Sequence, residues 1–169
     1  MRAFVALTGA LAAGLNRLTM LVCAGLLVVS LVAQLATVVL RYGFDAGSLW
    51  LQDLALWSIS GLLMLAIAFA VGLDAHVRVD LARAAMTPAG RRRLDRIGAL
   101  VLLVPLFGLI AWLTLPEAVG AWRVGESSPQ IGGMPGYWLV RLVPVVAALL
   151  ALVQGLARLC GAPDNGGRP

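Results

Sequence analysis

The chain has 169 residues, of which 61% are hydrophobic and only 12% charged, against about 25% charged in a soluble globular domain. That composition excludes an ordinary water-soluble fold, and the length leaves no room for a second soluble domain beside a membrane one. The net charge of +5 would suit nucleic acid, but all 13 basic residues are arginines, placed mainly beside long apolar runs, which points to orientation in a bilayer and not to nucleic-acid binding.

The N-terminal stretch, residues 1–17, combines Arg2, a modest apolar run and Ala10-Leu11-Ala12, a pattern that mimics a cleaved leader. Cleavage would carry the most arginine-rich connection to the outer side, against the positive-inside rule. The segment is therefore expected to stay, either at the cytoplasmic interface or as an extension of the first span, with Arg17 at the headgroups.

Four spans follow, predicted over residues 18–40, 54–73, 97–115 and 139–159, inside a membrane domain of residues 18–160. The first has no charge and only Thr19, Ser30, Gln34 and Thr37 as polar interruptions. The second is bounded by Asp53 and Asp74. The third contains Pro105, which is expected to kink it, and stays helical beyond Leu115 if Glu117, Trp122 and Arg123 form its emerging end. The fourth carries Arg141 near its start, Pro144 one turn in, and Gln154 deeper. Residues 161–169, rich in Gly, Pro, Asn and Asp, read as a disordered tail. The fold class is all-α, an integral membrane protein with four transmembrane helices.

Arginine placement predicts that both termini are cytoplasmic. Ten arginines then lie inside, six of them between spans two and three, and only Arg41, Arg123 and Arg141 lie outside. The inner connection 76–95 alternates Val77, Val79 and Leu81 with Arg78, Asp80 and Arg83, an amphipathic pattern suited to inner headgroups. Thr87-Pro88 is an N-cap and first-turn signal for helix three. Arg91, Arg92, Arg93 and Arg96 then face lipid phosphates. Most large rings collect at the other side, with Tyr42, Phe44 and Trp50 in the first outside connection and Trp122, Tyr137 and Trp138 in the second.

The chemistry of the spans excludes more than it offers. One histidine, His76, cannot make a bis-histidine haem site within one chain, and no Cys/His cluster has zinc spacing. GxSxG, HExxH and P-loop motifs are absent. Asp74, His76, Asp80 and Asp95 lack a nucleophile, and loop carboxylates beside arginine are more commonly ion pairs. Cys23 and Cys160 are read as small apolar fillers. Gln34, Ser58, Ser60 and Gln154 are read as hydrogen-bonding groups between helices. No catalytic residue, cofactor site or metal site is expected, and the chain is read as no enzyme but a subunit supporting another protein.

Several motifs then occur in order. They are Arg41-Tyr42-Gly43-Phe44, Trp50 followed by Asp53, His76-Val77-Arg78-Val79-Asp80, Trp122 with Gly125-Glu126-Ser127-Ser128, Gly132-Gly133-Met134-Pro135 and Gln154-Gly155. Together they resemble the small membrane subunit of TRAP (tripartite ATP-independent periplasmic) transporters, the DctQ family, over residues 18–159. Gln52 stands where many members carry a second acidic residue, and Asp74 where a basic one is frequent.

The resemblance implies a small permease subunit in the bacterial inner membrane. It would scaffold a large membrane subunit that takes up an organic acid, driven by sodium and delivered by a periplasmic binding protein. A stand-alone small transporter or a membrane enzyme of another family is the alternative. Partners are then the large subunit, the binding protein and membrane lipids. The partner-contact candidates are Arg41 and Asp53, expected to fix the first outside turn or to bind a partner, and Trp122, Arg123, Glu126 and Trp138 in the connection 116–138. That connection is longer than a minimal helix hairpin needs, and it mixes steering charges with aromatic anchors.

Overall fold

A side chain facing lipid meets no water, so the backbone must satisfy its own hydrogen bonds, and helices apolar on every side are the result. A computed structural model of the chain describes residues 2–73, 90 and 97–159. Helix α1 spans Arg2–Phe44, α2 Leu49–Leu73, α3 Val104–Val124 and α4 Trp138–Leu159. A π-helical turn, Ala99–Leu103, runs directly into α3. All four helices are long and apolar enough to cross a membrane. The amphipathic segment from Val77, the Thr87-Pro88 cap, Arg91 to Arg93, the His76 motif, Cys160 and the tail lie outside the described residues.

The boundaries differ from the predicted spans where nothing in the sequence marks an end. Helix α1 runs unbroken through residues 2–17 and continues past Arg41, so the connection to α2 is only residues 45–48. Asp45 ends the helix in a left-handed conformation (φ 50°), and the Ala46 N–H donates to the Leu40 carbonyl at 3.0 Å. Ser48 then caps α2, its Oγ accepting from the Leu51 N–H at 3.4 Å. At the other end of the molecule a widened, π-helical turn lies directly before Pro105. Pro105 has no N–H for the Val101 carbonyl, and the π-turn re-routes the ladder just before it. Helix α3 keeps Pro116 in its interior and ends at Gly125 (φ 61°). There the Gly125 and Glu126 N–H groups donate to the carbonyls of Trp122 (3.0 Å) and Ala121 (2.9 Å). The second connection is therefore residues 125–137, shorter than the predicted 116–138.

Helix α1 packs along α2, α2 along α4, and α4 along α3, so α2 and α4 are central while α1 and α3 flank them. The core joins Leu65, Ala68 and Val71 of α2 to Ala147 and Ala151 of α4, with Cys23, Leu26, Leu103 and Phe107 packed around it. Alanine at the contacts lets the backbones approach closely, which is how membrane helices gain dispersion energy when lipid offers no hydrophobic drive. Gly155 carries this furthest. A β-carbon there would come within 2.5 Å of Leu103 Cδ2, so glycine is what lets the π-turn nest on α4.

Of the polar groups in the spans, two tie helices together. Ser30 Oγ donates to the Ala55 carbonyl across α1 and α2 at 3.2 Å. Gln154 Nε2 donates to Asn16 Oδ1 across α4 and α1 at 3.5 Å, a long bond that leaves the buried Gln154 Oε1 without a donor. Ser60 instead bonds its own helix at the Leu56 carbonyl, 2.7 Å away, and Gln34 is exposed.

Candidate partner-contact site at the Arg141 end

The C-terminal ends of α1 and α3, the N-terminal ends of α2 and α4, and the connection 125–137 meet at one end of the molecule. The connection is built as a small pinned hairpin. Ser127 and Pro135 form an antiparallel bridge, the Ser128 N–H donates to the Met134 carbonyl at 3.0 Å, and the Gly133 N–H donates to the Gln130 carbonyl at 3.0 Å. Gly132, at φ 85°, occupies the position of that turn that favours glycine. Ile131 stands at the tip, 99% exposed.

One carboxylate ties this hairpin to the bundle. Asp53 on α2 is only 2% exposed, and its Oδ2 accepts a hydrogen bond from the Met134 N–H at 2.8 Å. The hairpin comes this close because residue 133 has no side chain. A β-carbon on Gly133 would lie 2.5 Å from Asp53 Oδ2 and 2.6 Å from both Cβ and Oγ of Ser128. Asp53 is thus committed to the second connection. No ion pair joins it to Arg41 among the described residues, and Arg41 is exposed. The expected tie across the first outside turn is replaced by a tie between residues 81 apart in sequence.

Arg141 organises the opposite side of the hairpin. Its Nη2 donates to Glu126 Oε1 at 3.0 Å. Its Nε lies 2.7 Å from Glu126 Oε2, too poorly aligned to count as a hydrogen bond. Glu117 on α3 approaches Nη1 at 3.4 Å, a weaker contact because that carboxylate is 66% exposed. The guanidinium also sits 5.7 Å from the centre of the Tyr137 ring, which in turn meets Trp57 edge-on at 5.6 Å. Arg141 therefore fixes where α3 ends relative to the start of α4, and Glu126 is an internal partner more than a free steering charge. Trp122 and Trp138 contact each other at 5.3 Å. Trp122 is 63% exposed, and Arg123 beside it is exposed as well.

The residues proposed from sequence thus divide. Trp122, Arg123 and Arg41 face outward, Trp138 supports Trp122, and Asp53 and Glu126 hold the hairpin from two sides. Arg141, Gly133 and the Met134 N–H were not foreseen as members of this site. The Gly-Gly-Met-Pro run was the one available signal, since adjacent glycines mark a close approach of backbone to something else.

The described residues thus form four helices long and apolar enough to cross a membrane, with a pinned polar hairpin at one end. The family profile described as tripartite ATP-independent periplasmic transporters, DctQ component, matches residues 27–162. The chain belongs to that family, one of transporter components and not of enzymes. No curated protein and no solved structure matched the chain.

Proposed function

We propose that the chain is the small permease subunit that scaffolds the large membrane subunit of a TRAP transporter in the bacterial inner membrane. The machine would take up an organic acid with a sodium gradient, after delivery by a periplasmic binding protein. The observation that carries this reading is the poverty of the bilayer core. Residues 18–40, 54–73, 97–116 and 142–157 contain no Asp, Glu, Arg, Lys or His. Carriers of ions or carboxylates place ionised groups or broken helices near the midplane. Here Ser30, inside the core, and Asn16 with Gln154, nearer its edge, are spent on helix contacts. The substrate and sodium sites would then lie in the large subunit. The outward-facing Trp122 and Arg123, with Ile131 at the hairpin tip, are the candidates for meeting the binding protein, the charge steering the encounter and the rings and tip adding contact area.

Reconstituted alone under a sodium gradient, the chain is expected to show no uptake of organic acids. Adding the large subunit and the binding protein is expected to restore it. Uptake by the isolated chain would remove the scaffold reading. The orientation is tested separately. Reporter fusions at Gly90 and Gly133 should give cytoplasmic and periplasmic signals respectively, as the arginine distribution requires, and the reverse pattern would invert the whole assignment.

A further inference from the structure

We propose that Asp53 is a positioning residue for docking: by holding the Met134 N–H it presents Ile131 as a fixed apolar knob that enters a pocket on the periplasmic binding protein. This rests on the subunit reading above and adds the anchor residue and the bond that sets its place.

A single exposed isoleucine is ordinary on a protein surface. What sets Ile131 apart, at 99% exposure, is how much of the chain is used to fix it. The Gln130 N–H before it donates to Ser128 Oγ at 3.3 Å. The Gly133 N–H behind it donates to the Gln130 carbonyl, and the Ser128 N–H to the Met134 carbonyl, each at 3.0 Å. Pro129 and Pro135 flank the turn, and their rings fix φ on both arms. A connection that only joined α3 to α4 would need none of this, since packed helices are joined by about 2–8 residues.

The second observation is the depth of the tether. Burying a carboxylate is costly unless strong partners offset it, yet Asp53, one turn inside α2, is only 2% exposed. Among the described residues its hydrogen-bond donor is a backbone N–H of the hairpin and not a cation. A β-carbon on Gly132 would lie 3.9 Å from Leu49 Cδ1, so the tip stands beside the first residue of α2. That is about 6 Å further out along the axis than Asp53. A buried acceptor thus holds an exposed apolar residue at the rim of the bundle.

The third observation is charge, which favours a protein over lipid as the occupant. Residues 125–136 contain no Arg or Lys, and their one charged side chain, Glu126, is held by Arg141 at 2.7 Å. A hairpin that gripped headgroups would carry basic residues for the phosphates, and a fluid bilayer requires no fixed geometry. A folded partner does. A knob set in advance enters a pocket without the entropy cost of ordering the loop at encounter, and a single well-packed anchor can dominate such a contact. Arg41 and Arg123, both exposed at this end, suit an apolar pocket with an acidic rim.

The test titrates the binding protein, purified from the periplasm, onto the co-expressed membrane complex in lipid nanodiscs. Ile131→Ser, at a position exposed enough to spare the fold, should raise Kd by about five- to twentyfold with the same amount bound at saturation. Asp53→Ala should raise Kd by about three- to tenfold. Asp53→Asn keeps an acceptor oxygen for the Met134 N–H and should stay nearer to wild type. In the Ile131→Ser background Asp53→Ala should add little, since no anchor is left to position. An equal effect of Asp53→Ala with and without Ile131, or a loss of binding capacity at unchanged Kd, would make the tether structural only and overturn the proposal. Wild-type Kd in Ile131→Ser would overturn the anchor. So would a fluorophore at residue 131 that lipid-borne quenchers reach and the binding protein does not protect. Failure of the wild-type subunits to copurify would instead end the scaffold reading, and this proposal with it.

Discussion

Replacing Gly133 with alanine is expected to destabilise the folded hairpin by about 2 kcal/mol, within the usual range for overpacking a tight contact. The added β-carbon would meet Asp53 Oδ2 at 2.5 Å and Ser128 Cβ and Oγ at 2.6 Å. The carboxylate cannot simply swing away, because its Oδ2 is held by the Met134 N–H at 2.8 Å. Asp53→Ala removes that charge-assisted bond directly and should cost about 1.5–3 kcal/mol. Because both changes break the same tether, the double variant should lose clearly less than the sum of the two. The measurements are thermal unfolding of the purified chain and protease cutting within residues 127–136. Strict additivity would show that Asp53 and Gly133 act separately. Gly155→Ala, despite a β-carbon at 2.5 Å from Leu103 Cδ2, should be milder, since that atom is the free end of a leucine that can rotate.

The second large effect concerns Asn16 and Gln154. Asn16→Leu should cost about 2–3 kcal/mol, more than the lost bond is worth. A 3.5 Å hydrogen bond between membrane helices contributes little, on the order of 0.6 kcal/mol. The larger cost comes from what remains, since Gln154 is 3% exposed and its Oε1 already lacks a donor. Without Asn16 both ends of the amide would be buried and unmet. Asn16→Leu combined with Gln154→Leu should then return close to the starting stability, because no polar group is left stranded. A double variant as damaged as the single costs added together would reject this account.

How much of this was legible depended on whether a feature is local. The apolar runs that became α2 and α4, Leu49–Leu73 and Trp138–Leu159, were visible in the sequence as long stretches without charge between Asp53 and Asp74 and between Arg141 and Arg158. The start of α1 was not, since a helix carries on through residues 2–17 unless a proline or glycine pair stops it. Pro105 announced a disturbance, but the π-turn before it, packed against Gly155, carries no signal in the local sequence. The site was harder still. Asp53 and Arg41 looked paired because they flank one turn, whereas the carboxylate's actual donor lies across the bundle. Glu126 looked available until Arg141, read only as a topology marker, was found beside it.

The unbroken course of α1 has a mechanical consequence. Its uncharged stretch, residues 18–40, has 23 residues and measures about 35 Å, against a hydrocarbon core of ~30 Å. A tilt of the helix accommodates such an excess of length. Sharp bends need a proline, a glycine–serine pair or a π-bulge, and the sequence from Arg2 to Phe44 contains no proline. The remaining residues, 2–16, therefore continue along the same inclined axis for about 22 Å. They form a stiff extension of the span beyond Arg17.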